Sequence, residues 1–508
     1  MLLALFPASI AFLFLSFYYA QGGVIDDSFI SYRYAENFAA GHGLVFNAGE
    51  KPVEGYSNFL WVIALTCAHL AGFDTVSASR ILGVSCGIGI LVVVAFIMRV
   101  VGSKPKDYTL AIAAVATAPA LAVYAISGME TLFYTLLLVL FLYLFLLEEI
   151  GSLRVPLSGV VAGMVCLTRP EGFVVLSIFV PLRLLQAYRD PGKRRPVGIW
   201  LAQIAIIFLP FLLLRYTYYG YLLPMPVYAK ATGEYLYRGV RQILGGGRYF
   251  VSFAKTYGGG GIFVLLLICC LKRLWQWRPM RHGFSCPPLT LLAGFVVWYT
   301  LFVINVGGDW MPQFRFFVPL LPLVYLLISS PEFMLFSGRQ YAAIFPATLI
   351  FFNLLQIPLV LSSTLANVEP YVQYAAISAN PTLPRHYQQI GSHFKGKTLA
   401  TTECGMLPYY SQLKTLDMMG LNDDFIAMTF HHNRGFFDTR ENAYDVILNY
   451  VLGQQPDLVH VGSGLRNNEP YYRKLLLSEA FVANYSLVEE YTVGSDQFYV
   501  RRPHPNQQ

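Results

Sequence analysis

The sequence predicts an α-helical polytopic membrane protein of about eleven spans with a C-terminal α/β domain, and three observations carry that prediction. Of 508 residues, 56% are hydrophobic and 13% charged, against roughly 25% charged in soluble globular domains, which excludes a soluble enzyme. Apolar segments recur along the first 361 residues, punctuated by clusters of Lys and Arg. Beyond about residue 365 the composition becomes that of a water-soluble domain.

Residues 2–20 form an apolar run with no basic residue ahead of it, which reads as a retained first span rather than a cleaved signal. The first polar stretch, DDSFISYRYAENFAAGHGLVFNAGEKPVEGYSNFLW at 26–61, opens on adjacent carboxylates. Asp26 or Asp27 can cap a helix over SFISYRYAENFAA, and Gly41 supplies its stop. The apolar piece 59–73 is short for a crossing of ~20 residues and reads as a helix lying on the outer surface. Further spans are expected at 81–99, 109–126, 132–147, 155–168, 173–188, 197–216, 259–275, 287–306, 316–335 and 341–361.

The domains predicted are a transmembrane catalytic domain, 1–361, with a first external loop at 21–80, and an α/β domain, 362–508. Basic clusters at Arg99-Lys104-Lys106, Arg183-Arg189-Lys193-Arg194-Arg195, Lys272-Arg273-Arg278-Arg281 and Arg339 mark the cytoplasmic loops, which puts the N-terminus inside and the C-terminal domain outside. Each cluster is a short juxtamembrane loop without a recognition motif, so nucleic acid is not a partner. Outward loops then hold the remaining polar residues: Ser127 to Glu130, Thr168 to Gly172, Tyr216 to Gly258, and Gly307 to Arg315. Span centres carry almost no ionisable residue and no internal repeat is visible, which disfavours a lipid-linked-sugar flippase or ion-coupled transporter.

In the C-terminal part, 385–395 reads as a helix, while 398–404, 456–461, 484–493 and 497–501 read as strands. Asp417, Asp423 and Asp424 are expected as solvated loop carboxylates. Six of the seven cysteines lie in or beside apolar segments, so neither a disulfide framework nor a cysteine zinc spacing is present.

Residues 26–61, YYGYLLPMPVYAK at 218–230 and GGDWMPQFRFFVPLLPL at 307–323 resemble the C-superfamily (GT-C) of membrane glycosyltransferases, and especially mycobacterial-type terminal arabinofuranosyltransferases. CGMLPYYS at 404–411 and LDMMGLNDDFIA at 416–427 extend the resemblance into the C-terminal domain. It implies a multi-pass protein of the bacterial inner membrane with a first external loop of surface helices and a periplasmic C-terminal domain. Such enzymes move a sugar, here arabinofuranose, from a polyprenyl-phosphate carrier to an envelope glycan or glycolipid acceptor; the same machinery accommodates mannose or aminoarabinose. The loop carboxylate acts on the acceptor and falls on Asp26 or Asp27. Relatives with Asp-Glu or Asp-Ala at this position keep the first acid, which favours Asp26.

The chemistry explains these residue types. A carboxylate within hydrogen-bond reach takes the proton of an acceptor hydroxyl as the glycosidic bond forms. The lipid-phosphate leaving group needs cations, and an arginine fork binds phosphate oxygens in pairs. Outer-side candidates are Lys230, Arg169, Arg215, Arg33 and Arg315. Against this, Arg169 can be an interface anchor, and Arg315 can pair with Asp309 in the same short loop. Tyr228, Glu54, Tyr56, Asp309 and His42 are candidates for the sugar, although Tyr228 also suits a membrane-interface belt and His42 a plain surface histidine. No organic cofactor is called for. The acid pair is able to hold a divalent cation, but no ligand spacing demands one.

Overall fold

Helices form wherever the chain is apolar for ten residues or more, because a backbone in lipid must satisfy its own N–H and C=O groups. The computed structural model describes residues 2–20, 23–230, 237–258, 261–276, 287–330, 333, 343–365, 382–432, 441–462, 470–492 and 496–503. Each of the eleven expected segments contains helix. Among the described residues, six helices are long and apolar enough to cross a membrane, or seven if one bent pair is a single span. That pair, Pro105–Ala116 and Pro119–Ile126, bends by 52° where Pro119 lacks an N–H and breaks the ladder. Arg278, Arg281, Arg339 and the junction at 366–381 lie outside the described residues.

The chain divides into two units. The first, residues 1–21, 79–211 and 236–366, is a helical bundle whose closest approaches use glycine. In helix Thr75–Val100, a Cβ on Gly83 would stand 2.1 Å from the Ala125 carbonyl oxygen, and one on Gly87 would stand 2.2 Å from the Phe12 ring. Small residues four apart on one face let neighbouring helices meet backbone to backbone.

The second unit comprises 22–78, 212–235 and 367–508, so the first loop belongs with the C-terminal domain. Its five-stranded sheet runs β2-β1-β3-β5-β4, with β1 at Thr398–Thr401, β2 at Lys414–Asp417, β3 at Leu458–Val461, β4 at Tyr485–Leu487 and β5 at Gln497–Arg501. β1 pairs in parallel with β2 and β3, and β5 is antiparallel to both β3 and β4. The central strand β3 is buried along its whole length, as a strand covered on both faces must be. Four strands fall where the sequence places them, with β1 and β4 shorter than expected. The sequence reading misses β2.

Helix Ser28–Ala39 stops as expected. Gly41 is left-handed at φ +81, and Gly41 N–H and His42 N–H return to the carbonyls of Phe38 and Asn37 at 3.1 and 2.9 Å, closing both bonds of a glycine-terminated helix end. Asp417 is corrected: it is fully buried, not solvated, because its carboxylate accepts from Met419 N, Asn422 N and Asn422 Nδ2 at 2.8, 2.6 and 3.0 Å.

Candidate active site

Asp26 and Asp27 stand at the head of helix Ser28–Ala39, yet neither caps it in the expected way. Asp27 occupies the cap position with helical backbone angles and makes no side-chain capping bond. Asp26 instead accepts the Met406 N–H on Oδ1 at 2.8 Å, across 380 residues of sequence. The approach depends on Gly405, where a Cβ would lie 2.2 Å from both the carbonyl oxygen and Oδ2 of Asp26. Burial, only partly offset by the Met406 N–H and reinforced by Asp27, lifts the Asp26 carboxyl from 3.8 to about 7. A carboxyl poised there can accept a proton near neutral pH.

Arg33 is built in rather than presented. Its Nε donates to Phe46 O at 2.7 Å, Nη1 to Pro408 O at 2.5 Å, and Nη2 to Leu413 O and Asn47 Oδ1 at 2.8 and 3.1 Å. Four of its five N–H groups are therefore used, two within the loop and two holding it against residues 408–413. Phe29 and Tyr32 add ring contacts to Tyr409 at 5.2 and 5.9 Å, and the Tyr409 hydroxyl donates to Glu36 at 2.5 Å.

Glu54 and Arg215 form a buried two-point ion pair at 2.7 and 3.0 Å. The Glu54 carbonyl receives Met225 N–H at 2.9 Å, and Tyr56 meets Tyr219 hydroxyl to hydroxyl at 3.0 Å. These contacts fasten helix Met225–Lys230 to the loop. Its Tyr228 ring packs edge-on against His431 at 5.3 Å. Lys230 is exposed at the end of this helix, and no carboxylate pairs with it among the described residues. His42 is exposed just past the glycine stop.

In the first unit, the loops that carry Glu130, Arg169 and Arg315 converge. Arg169 bonds Glu130 at 2.7 Å and Glu171 at 2.5 Å, and Arg315 bonds Asp309 at 2.5 Å. The two guanidinium groups flank the Phe316 ring at 5.7 and 5.5 Å. Gln313 and Phe314, in the same loop, take left-handed angles at φ 59 and 54, a strain of roughly 1–3 kcal/mol each of the kind found at functional loops. Nearby, Phe250, Phe253, Leu266, Phe317 and Leu320 line an apolar hollow.

Sequence reasoning missed a second acidic group in the second unit. Glu403, His460 and Asp496 bring three ligand-type atoms within 4.8 Å of one another, and Glu403 and Asp496 share an electrostatic environment with Asp26. One signal was available: Glu403 follows a parallel strand, and carboxyl ends of such strands build sites.

Residues 373–504 match the family described as Domain of unknown function (DUF8728). No curated protein matches the chain by sequence. Solved structures do match it by shape along nearly its whole length. ArnT from Cupriavidus metallidurans bound to undecaprenyl phosphate is 13% identical with a TM-score of 0.54 over 97% of both chains. The apo oligosaccharyltransferase of Archaeoglobus fulgidus is 13% identical with a TM-score of 0.55, over 99% of this chain and 74% of its own. The mycobacterial arabinofuranosyltransferase AftD is 13% identical with a TM-score of 0.50, over 98% of this chain and 41% of its own. The chain has the GT-C fold.

Within the GT-C fold of this chain, four of the five expected phosphate-binding cations are already engaged. Arg33 holds carbonyls, while Arg169, Arg215 and Arg315 hold carboxylates. Lys230 pairs with no carboxylate among the described residues.

Proposed function

We propose that this multi-pass membrane protein is a glycosyltransferase that moves a sugar, arabinofuranose by the resemblance of its motifs, from a polyprenyl-phosphate donor to an envelope glycan on the periplasmic face of the inner membrane. The observation that carries the reading is Asp26: a carboxylate held by the backbone N–H groups of Met406 and Gly405, not used as a cap, and raised by burial to about 7. The fold shared with ArnT bound to undecaprenyl phosphate and with AftD supports it.

In this reading the acceptor oxygen forms a bond to the anomeric carbon as the bond from that carbon to the phosphate oxygen breaks. The electron pair leaves with the lipid phosphate, and the hydroxyl proton passes to Asp26. Asp27 keeps the neighbouring charge that helps raise Asp26 and orients the acceptor. Lys230 meets the departing phosphate as a point charge, with Arg215 of the same unit as a further cation. Tyr56, Tyr228, Glu54 and His42 are the proposed sugar contacts.

The test incubates the purified protein with polyprenyl-phosphoryl arabinofuranose, mannose or aminoarabinose and an acceptor oligosaccharide, and reads transfer by mass. A product heavier by one pentose, seen with the first donor alone, is expected. No transfer from any donor overturns the reading.

A further inference from the structure

We propose that Glu403, His460 and Asp496 form a binding site for one divalent transition-metal ion, of the class of Zn²⁺ or Mn²⁺. The proposal concerns the C-terminal domain and does not rest on the transferase reading.

The topology makes the place. The chain leaves β1 for β2 on one side and returns to β3 on the other, so the carboxyl ends of β1 and β3 diverge and open a crevice, the position where parallel sheets bind ligands. Glu403 lies two residues past β1, and His460 lies within β3. β5 runs antiparallel to β3 with Gln497 opposite Val461, which brings the preceding residue, Asp496, to the same end.

The three side chains are 8%, 0% and 3% exposed, and their donor atoms lie within 4.8 Å of one another. Tetrahedral ligands of one ion at ~2.0–2.2 Å stand about 3.3–3.6 Å apart, so donors no farther than 4.8 Å from one another need to close by at most about 1.5 Å. One imidazole nitrogen with two carboxylates suits zinc or manganese and leaves coordination positions open.

A second observation points to a ligand. Among the described residues His460 Nε2 is buried without a hydrogen-bond partner, and a buried polar atom in that state calls for an ion or a water. His460 Nδ1 lies 3.0 Å from Thr401 Oγ1, which also accepts the Glu403 N–H at 2.9 Å. Thr401 thus holds the imidazole ring through Nδ1 and leaves Nε2 as the nitrogen open to an ion, as supporting residues do around metal-bound histidines. Glycine at 462 gives Glu403 its room: a Cβ there would stand 2.0 Å from Oε1.

The experiment strips the purified full chain with EDTA, dialyses it against Zn²⁺ or Mn²⁺, and measures bound metal by mass spectrometry. One equivalent per chain is expected with at least one of the two ions. Glu403→Gln and His460→Gln should each lower its affinity at least 100-fold, and the Mn²⁺ form should show nitrogen coupling in pulsed EPR that His460→Gln removes. Thr401→Val should weaken binding about 10- to 100-fold, and it serves where a ligand variant does not fold. A double Asp26→Asn, Asp27→Asn variant should keep the ion, which distinguishes this site from capture by the acid pair. Less than a tenth of an equivalent with both ions, or undiminished binding in folded Glu403→Gln and His460→Gln, overturns the proposal. Because metal content is the readout, its failure and a failure to transfer sugar are separate results.

Discussion

Replacing Asp26 with Asn removes one negative charge and almost nothing else. The amide oxygen still receives the Met406 N–H that Asp26 now takes at 2.8 Å, so the anchor between the loop and the C-terminal domain survives. The wild-type carboxyl is raised from 3.8 to about 7, chiefly by burial. The folded state therefore holds this proton more tightly than the unfolded state. The stability it contributes is fully present below pH ~4 and is lost as pH rises through ~7. At ~1.36 kcal/mol per pH unit the gap corresponds to ~4 kcal/mol, and partial exposure of the side chain discounts it to ~1–2 kcal/mol. At pH 8 a neutral isostere escapes that cost. The variant should equal or exceed wild type in thermal stability, with Tm higher by about 2–4 °C for each kcal/mol. Transfer should fall ~10²- to 10⁴-fold, the range of general-base catalysis. The assay pairs thermal unfolding with initial rates on the same detergent-purified sample. A folded variant retaining more than about a tenth of wild-type turnover would refute a catalytic Asp26.

The other predictions probe neighbouring parts. Arg33→Met removes the donor that joins the carbonyls of Phe46, Pro408 and Leu413, each of which keeps one other donor, from Asn37, Gln412 or Thr415, and should cost ~1–3 kcal/mol; a wild-type Tm would contradict this. Lys230→Ala should weaken donor binding roughly 10- to 150-fold, equivalent to ~1.5–3 kcal/mol for a lost charged contact, without lowering Tm; unchanged donor affinity puts the phosphate elsewhere. Because Asp26 must be ionised to act as a base and titrates near about 7, kcat/KM should drop about tenfold per pH unit below 7, and a flat profile from roughly pH 5 to 8 would count against it. Arg194→Cys should react with an impermeant thiol reagent only after the cytoplasmic face is opened; labelling from the periplasm reverses the topology.

The helical part was legible because lipid selects by composition, and a run such as Leu132 to Leu147 admits little besides a helix. Strand β2 was not. Its four residues are too few for a period, and only Thr415 and Asp417 point inward among Lys414 to Asp417. Asp417 itself could have been read better, since all three of its N–H donors come from the next five residues. The acid pair was visible as chemistry, whereas what holds it was not. Arg33 reads as a free cation until Pro408 and Leu413 arrive from the far end of the chain. Glu403, His460 and Asp496 are separated by 57 and then 36 residues, with no motif to join them. Only the crossing from β1 to β3 brings them together.

The bond from Arg33 to Pro408 also sets a schedule. When the ribosome has made the first loop, the carbonyl that Arg33 must reach is still 375 residues away. At roughly 5–20 residues per second, ~20–75 s pass before that partner exists. Until then the guanidinium, the Asp26 carboxylate and the underside of helix Ser28–Ala39 are left to water, lipid headgroups or a chaperone. An mRNA truncated anywhere before the codons for 406–413 yields a protein whose spans can insert but whose first loop cannot close.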